Sequence, residues 1–163
     1  MAETLLTPEV RAWADRDYPD VEVAITARDI AKFAHATGET NPIHFDVAPA
    51  RAAGYADVVA PVLFYLLLRS EAYHLRPRSE LSDDGSARDD IPPLRVTRAM
   101  AGETQLTFDG RFVAGDVVTC RKRVVDIAEK QGRSGALVLL RFDYRFDVAD
   151  RTVVHERFTR IFR

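Results

Sequence analysis

The sequence is poor in cysteine and has no long uninterrupted hydrophobic run. Cys120 is the single cysteine among 163 residues, so an intrachain disulfide is excluded, and we interpret it as a small core side chain. A lone cysteine is typical of a reducing compartment, and we predict a cytoplasmic protein. The longest apolar run, residues 58–68, contains Pro61 and is too short to cross a bilayer. Residues 1–4 lack the features of a signal peptide, so we predict no membrane association.

The chain also lacks a strong charge of either sign. Its formal net charge is −2, so no electrostatic argument favours a nucleic acid or an anionic membrane as a partner. The four histidines are scattered and no second cysteine accompanies them, so we predict no metal site. What is present is a balance of 47% hydrophobic and 29% charged residues, which is typical of a globular protein. The length predicts one domain that covers residues 1–163.

Helix signals dominate the first half of the chain. Thr26 followed by Asp29 predicts a helix N-terminus, and apolar residues at helical spacing continue this helix as far as Gly38. Pro61 is a favoured first helical residue, and residues 62–68 after it are apolar on every side. A helix that is apolar all round is buried, so we predict a central helix here. Shorter elements are predicted at residues 5–20 (helix), 21–25 (strand) and 47–53 (helix).

Strand signals dominate the second half. Residues 140–148 alternate between apolar and charged side chains, which predicts a strand with one buried face. Further strands are predicted near residues 105–109, 116–127 and 152–162. Residues 74–95 are rich in charged residues, glycine and proline, which predicts an exposed loop. Early helices and late strands together predict an α+β fold with an antiparallel sheet.

Three polar side chains of different chemistry lie close together after Gly38. They are the carboxyl group of Glu39, the amide of Asn41 and the imidazole of His44. Pro42 keeps Asn41 out of the helical region, so a tight turn can bring Glu39 and His44 face to face. An acid and an imidazole on one constrained loop suit general acid–base catalysis. Taken as an isolated pair, they also fit a structural histidine that donates to a backbone carbonyl, beside a solvated glutamate.

The spacing around this loop is similar to that of a known family. The chain resembles the MaoC-like dehydratase and (R)-specific enoyl-CoA hydratase family in three runs: Phe33-Ala34-x-x-x-Gly38-Glu39-x-Asn41-Pro42-Ile43-His44-x-Asp46, then Ala50-Arg51-x-x-Gly54-Tyr55 and Val59-Ala60-Pro61. In the second half the resemblance rests on Met100-Ala101-Gly102, Gly115-Asp116 and Lys130-x-Gly132-Arg133-x-Gly135. The resemblance implies a hot-dog fold, in which a curved antiparallel sheet wraps around a central apolar helix.

The resemblance also implies a hydro-lyase. Members add water reversibly across the 2,3 double bond of an enoyl thioester and so form the (R)-3-hydroxyacyl thioester. The substrate is carried on CoA or on the phosphopantetheine of an acyl carrier protein, and no cofactor takes part. The catalytic residues would be Glu39, His44 and Asn41, and the sequence leaves open which of Glu39 and His44 handles which proton. Because the family forms dimers with paired sheets, we predict a homodimer, or a heterodimer with another hot-dog subunit.

Two positions depart from the family's usual pattern. The acid is usually aspartate, and the side chain of Glu39 is one methylene longer. The family often has His-Gly at the start of the central helix, where the glycine N–H binds the thioester carbonyl. Ala60-Pro61 stands here instead, and Pro61 has no N–H. We predict that the amides of Val62 and Leu63 take over this role at the helix N-terminus.

Two aromatic residues complete the predicted substrate-binding set, because Phe45 and Tyr65 would narrow the entrance beside the loop. The alternative to an enzyme is a non-catalytic, acyl-binding subunit of a heteromeric dehydratase. Glu39 and Pro61 favour that alternative, whereas His44 favours the enzyme. A thioesterase is a third reading, against which the Asn-Pro-x-His loop argues.

Overall fold

The computed structural model describes residues 4–83, 85–96, 98–133 and 135–163. Met1 to Glu3, Asp84, Thr97 and Ser134 lie outside the described residues, so the absence of a signal peptide stays a prediction. The described helices are α1 (Pro8–Arg11), α2 (Ala27–Thr37), α3 (Val47–Ala52) and α4 (Tyr65–Tyr73). The strands are β1 (Val21–Ala24), β2 (Ala99–Phe108), β3 (Val117–Gly132), β4 (Gly135–Val148) and β5 (Arg151–Phe162). Short 3₁₀ turns lie at Pro42–His44, Val62–Phe64, Arg78–Glu80 and Arg88–Asp90.

The strands form one sheet in the order β1-β3-β4-β5-β2, and every neighbouring pair is antiparallel. The long strands β3, β4 and β5 follow one another as hairpins, so consecutive segments of the chain lie side by side. Alternate residues of β4 face the core, where Phe142 and Phe146 are buried. The predicted α+β fold with an antiparallel sheet is confirmed, and the four strands predicted in the second half are all present, with longer bounds than predicted.

Helix α4 packs against the middle of this sheet. The ring of Tyr65 meets that of Phe146 on β4 with 5.8 Å between their centroids. At the other end of the helix, the hydroxyl of its last residue, Tyr73, donates to the backbone carbonyl of Cys120 on β3 at 2.7 Å. Leu68 lies between them and is 1% exposed. A central helix against a curved antiparallel sheet is therefore present, as predicted.

The prediction that residues 62–68 form a helix buried on every side is wrong in two respects. Pro61 is extended, with ψ 156°, and precedes a 3₁₀ turn, so α4 begins only at Tyr65. Val62 and Leu63 in that turn are 41% and 49% exposed, because only one face of the helix meets the sheet. No helix of the described residues is long and apolar enough to span a membrane.

The prediction of an exposed loop at residues 74–95 is confirmed at Leu75 and at Arg78–Glu80, which are exposed, and is wrong at Ala87 and Asp90, which are buried. The side chain of Arg76 pairs with Asp89 at 3.0 Å. Asp90, which is 3% exposed, forms an ion pair with Lys122 of β3. Asp90 therefore ties this segment to the sheet, whereas the pair of Arg76 and Asp89 joins two parts of the segment itself. Asp84 of the same segment lies outside the described residues.

Candidate active site

The end of α2 delivers Glu39 to the site. Thr26 and Asp29 form the predicted capping box at the other end of this helix. Gly38 ends it in the left-handed region with φ 74°, which a residue with a Cβ adopts only at a cost. The N–H of Glu39 donates to the carbonyl of Ala34 at 2.9 Å, which closes the helix end. The Glu39 side chain then remains 41% exposed at the start of the loop.

Asn41 shapes the loop through its side chain. Its Oδ1 accepts a hydrogen bond from the N–H of Ile43 at 3.2 Å and so caps the 3₁₀ turn Pro42–His44. The carbonyl of Pro42 accepts from the N–H of Asp46 at 2.9 Å, which holds the other side of the turn. The predicted catalytic residue Asn41 is thus placed beside Glu39 and His44, with its oxygen engaged by the backbone.

His44 is held rigidly by the strand-like segment that precedes α4. Its Nδ1 lies 2.6 Å from the backbone carbonyl of Val59, and the N–H of Val59 donates to the carbonyl of Ile43 at 3.0 Å. A carbonyl accepts only, so we assign the proton of the neutral ring to Nδ1. His44 Nε2 then carries a lone pair and can accept a proton. The residue is 7% exposed, so this ring has little freedom to turn.

The two predicted proton-transfer groups face one another without touching. Glu39 Oε2 lies 4.0 Å from His44 Nε2, which is too long for a direct hydrogen bond. Such a gap suits a water molecule or a substrate hydroxyl that binds both groups. Five residues apart in sequence, Glu39 and His44 are brought together by the loop, as the sequence predicts.

The start of the central helix offers two amides beside this pair. The carbonyl that holds His44 belongs to Val59, three residues before Val62. The N–H of Ala60 donates to the carbonyl of Phe112 at 2.9 Å, which fixes the segment between them. Among the described residues, no acceptor pairs with the N–H of Val62 or of Leu63. Both N–H groups are therefore open to a ligand. They lie in the 3₁₀ turn just before α4, next to Pro61, which has no N–H.

The two predicted aromatic residues lie in different surroundings. Phe45 packs against His35 with 4.8 Å between ring centroids, and its ring lies 6.4 Å from that of His44. Tyr65 is 3% exposed and packs between Phe108 and Phe146. Burial raises the pKa of Tyr65, so its hydroxyl stays protonated. Phe45 therefore stands at the loop as predicted, whereas Tyr65 belongs to the core and does not narrow an entrance in this chain.

Two other charged groups lie away from the loop, and each is paired with a residue that is distant in the sequence and was not predicted as its partner. Arg69 of α4 pairs with the buried Glu156 of β5 at 2.8 Å. Lys122 pairs with Asp90, as described above. Burial raises the pKa of Cys120 to about 12, so this thiol is protonated at neutral pH and is no nucleophile. No group of three or more potential metal ligands is found within the described ranges.

Comparison with known proteins places this geometry in a family. Residues 12–156 match the model of the FAS1-like dehydratase domain region. The chain is similar to the UPF0336 protein of Leifsonia xyli subsp. xyli, with 35% identity over 123 residues, which are 75% of this chain and 76% of that protein. The chain therefore belongs to the family of FAS1-like dehydratase domains.

Solved structures give the same fold. The R-hydratase PhaJ1 from Pseudomonas aeruginosa matches with a TM-score of 0.61 and 18% identity, over 90% of this chain and 79% of that one. The HadBC (3R-hydroxyacyl-ACP dehydratase) complex from Mycobacterium tuberculosis matches with a TM-score of 0.64 and 18% identity, over 91% and 96% of the two chains. The resemblance to MaoC-like dehydratases and (R)-hydratases predicted from the loop is confirmed, and so is the hot-dog fold.

Proposed function

We propose that this FAS1-like dehydratase domain catalyses the reversible addition of water to an enoyl thioester, which gives the (R)-3-hydroxyacyl thioester. The observation that carries this proposal is the 4.0 Å gap between Glu39 Oε2 and His44 Nε2. The carbonyl of Val59 occupies Nδ1, so Nε2 is the nitrogen left for proton transfer. Names among the structural neighbours, an R-hydratase and a 3R-hydroxyacyl-ACP dehydratase, support the same reaction class.

In the dehydration direction His44 would take the proton from C2 of the hydroxyacyl thioester. The C3–O bond then breaks, the C2–C3 double bond forms, and the hydroxyl leaves as water with a proton supplied through Glu39. In the hydration direction both groups would bind the attacking water in the gap between them. Two positioned proton-transfer groups of this kind contribute about 10²- to 10⁴-fold each.

The developing negative charge on the thioester oxygen needs its own donors. The amides of Val62 and Leu63 are suited to this role because they lie in the 3₁₀ turn that leads into α4 and have no acceptor among the described residues. They follow Pro61, whose lack of an N–H shifts the donor by one or two residues relative to the family's usual glycine. Proton transfer and two amide donors complete the reaction, so we propose that no metal or redox cofactor takes part. The acyl group would be carried on CoA or on the phosphopantetheine of an acyl carrier protein.

A partner chain is proposed from the uncovered side of the fold. Strand β2 is an edge strand of ten residues, on which Met100 and Phe108 are 38% and 40% exposed. Phe108 packs against Tyr65, the first residue of α4, so this edge lies beside the exposed residues Val62 and Leu63. An uncovered edge with apolar neighbours favours pairing with another chain. We expect a homodimer, or a heterodimer with another hot-dog subunit, and not a monomer in sedimentation at micromolar concentration.

A second function is kept because of Pro61. A chain whose thioester oxygen had no good donor would serve as the acyl-binding subunit of a heteromeric dehydratase, with catalysis in its partner. The structural neighbour HadBC was solved as a complex, which is consistent with such a heteromeric arrangement.

One assay separates the two functions. The purified chain is given crotonyl-CoA, and hydration is followed as loss of the enoyl absorbance. The enzyme proposal expects turnover by the chain alone, and crotonyl-pantetheine on an acyl carrier protein tests the other carrier. Turnover that appears only after a second hot-dog subunit is added, and that Glu39→Gln in this chain leaves unchanged, would support the accessory subunit instead.

A further inference from the structure

A cavity of about 520 Å³ lies at the opposite half of α4 from the Glu39–His44 loop. Arg69 and Ser70 of α4 form one wall, and Phe142 and Phe158 of the sheet form another. Gly85, Ser86 and Asp90 form the outer wall, and the buried Lys122 holds Asp90 in place. This volume is that of a small-molecule site, and the ion pair fixes its outer wall.

Arg69 lines this space and has one guanidinium edge without a partner among the described residues. Its Nη1 donates to both oxygens of Glu156 at 2.8 Å, and its guanidinium lies over the rings of Tyr144 and Phe158, at 5.5 and 5.4 Å from their centroids. Among the described residues, no acceptor pairs with Nε or Nη2 of Arg69. The Nε–Nη2 edge of a guanidinium matches a carboxylate, with two parallel hydrogen bonds.

Unpaired polar groups line the same cavity. Tyr144 is 3% exposed, and its hydroxyl has no hydrogen-bond partner within the described ranges. Burial raises the pKa of Tyr144, so this hydroxyl stays protonated and can donate. The hydroxyl of Ser70 and the imidazole of His74 likewise lack a protein partner there. A hydroxyl or imidazole that lines a cavity without a protein partner is available to a ligand or to water, so this cavity suits a polar ligand.

The charges and the walls narrow the ligand class. Two guanidinium groups, Arg69 and Arg160, and one carboxylate, Asp90, line the cavity, and Lys122 neutralises that carboxylate. Glu156 lies directly behind Arg69, and its negative charge repels a doubly charged phosphate more strongly than a singly charged carboxylate. The remaining lining is apolar and includes Phe142, Phe158, Met100, Ala99 and Ala101.

We propose that this cavity binds a carboxylate carried on a short apolar chain, with the carboxylate on Arg69 and Tyr144. The ligand is either a free small acid or the carboxylate end of an acyl chain. Only the second source depends on the proposed hydratase function, so a test by direct binding separates the two claims.

The test is a calorimetric titration of the pure chain with hexanoate, and with hexanamide as a probe of equal shape without charge. We expect saturable binding of hexanoate and at least tenfold weaker binding of hexanamide. Tyr144→Phe keeps the ring and removes only the hydroxyl, and it should weaken hexanoate binding about tenfold. Tyr55→Phe makes the same chemical change outside the cavity and should leave the affinity as in the wild type.

A second variant removes the guanidinium in a way that should preserve the fold. Arg69→Met combined with Glu156→Gln removes the guanidinium without leaving a buried charge unpaired, and it should abolish hexanoate binding. A CoA thioester whose acyl chain ends in a carboxylate should displace hexanoate if the substrate is the source, and should leave it bound if a free acid is. Equal affinity for hexanoate and hexanamide, no saturable binding of hexanoate, or no effect of Tyr144→Phe would overturn the proposal, whether or not crotonyl-CoA is hydrated.

Discussion

Two acid–base pairs in this protein differ in the distance between their two side chains, and so in the space left between them. Glu39 and His44 stand 4.0 Å apart, and the glutamate side chain is 41% exposed. Lys122 and Asp90 are in contact, and their side chains are 0% and 5% exposed. The open pair can admit a third molecule between its members, whereas the members of the closed pair are in direct contact and leave no space between them.

The surroundings of the two pairs reinforce this difference. The ammonium group of Lys122 lies over four rings, with 4.1 Å to the centroid of Tyr18, 5.1 Å to those of Tyr73 and Phe142, and 5.7 Å to that of Tyr144. Aromatic faces attract a cation that is shielded from water. In the open pair only His44 is fixed, by one carbonyl, and its other nitrogen has no hydrogen-bond partner in the part of the chain that the structure describes. We infer that the closed pair serves stability and the open pair serves chemistry.

The largest expected effect comes from breaking the closed pair. Lys122→Met should lower the free energy of unfolding by about 3–5 kcal/mol, because it leaves the Asp90 carboxylate buried and unpaired. Urea denaturation measures this change. The double variant Lys122→Met with Asp90→Leu, which makes both members apolar, should recover most of the loss. A loss of less than about 1 kcal/mol in Lys122→Met would mean that the Asp90 carboxylate reaches water. The closed pair would then be solvated, as Glu39 of the open pair is.

A smaller effect is expected where the open pair is supported. Asn41→Ala removes the side-chain oxygen that caps the Pro42–His44 turn and should cost about 1 kcal/mol of stability. It should also lower kcat/KM, because Glu39 and His44 lose their fixed separation. Asn41→Asp keeps a capping oxygen and is the matched control, with stability close to that of the wild type. Equal stability of the alanine and aspartate variants would remove Asn41 from this supporting role.

The smallest effect is expected for a third pair, Arg69 and Glu156, and it is a change of stability with pH. This pair is largely buried and lies beside a cavity. Burial raises the pKa of Glu156, and the guanidinium of Arg69 opposes this rise. The folded state therefore binds the proton of Glu156 more readily than the unfolded state does. Its favourable contribution is fully present below the carboxyl's ordinary range and is lost as the pH rises through the folded-state pKa.

The measurement for this pair is the free energy of unfolding between pH 7 and pH 4, in the wild type and in Glu156→Gln. The free energy of unfolding of the wild type, relative to that of the variant, should rise as the pH falls, because the glutamine does not titrate. A difference that is constant with pH would contradict the raised pKa.

Local signals predicted the open pair well. Gly38 permits the left-handed conformation that ends α2, and Pro42 keeps Asn41 out of the helical region, so the turn that joins Glu39 to His44 follows from nearest neighbours in the sequence. The carbonyl of Val59 that fixes the tautomer of His44 could not be predicted in this way. It lies fifteen residues further on, and every residue has a backbone carbonyl, so nothing in the sequence marks this one.

The closed pair was missed, although a signal for one member was present. Lys122 stands in phase with Val118, Cys120 and Val124 on β3, and all of these residues are buried. A strand alternates its faces, so this phase alone places Lys122 on the core side. A lysine is seldom buried without a partner, so the charge of Lys122 argues against this face when the residue is taken alone. The partner Asp90 is in a segment without periodicity, and only the tertiary fold brings the two together.

Glu39→Gln tests the central claim most directly, with kcat/KM for the hydration of an enoyl thioester and the free energy of unfolding measured on the same preparation. We predict that the rate falls by about 10²- to 10⁴-fold and that stability changes by less than about 0.5 kcal/mol, because an exposed carboxyl holds no structural partner. Glu39→Asp keeps the acid and restores the family's usual side-chain length, so its rate should equal or exceed that of the wild type. A Glu39→Gln variant with an unchanged rate, or one that loses its stability together with its rate, would contradict the claim that the open pair carries the chemistry.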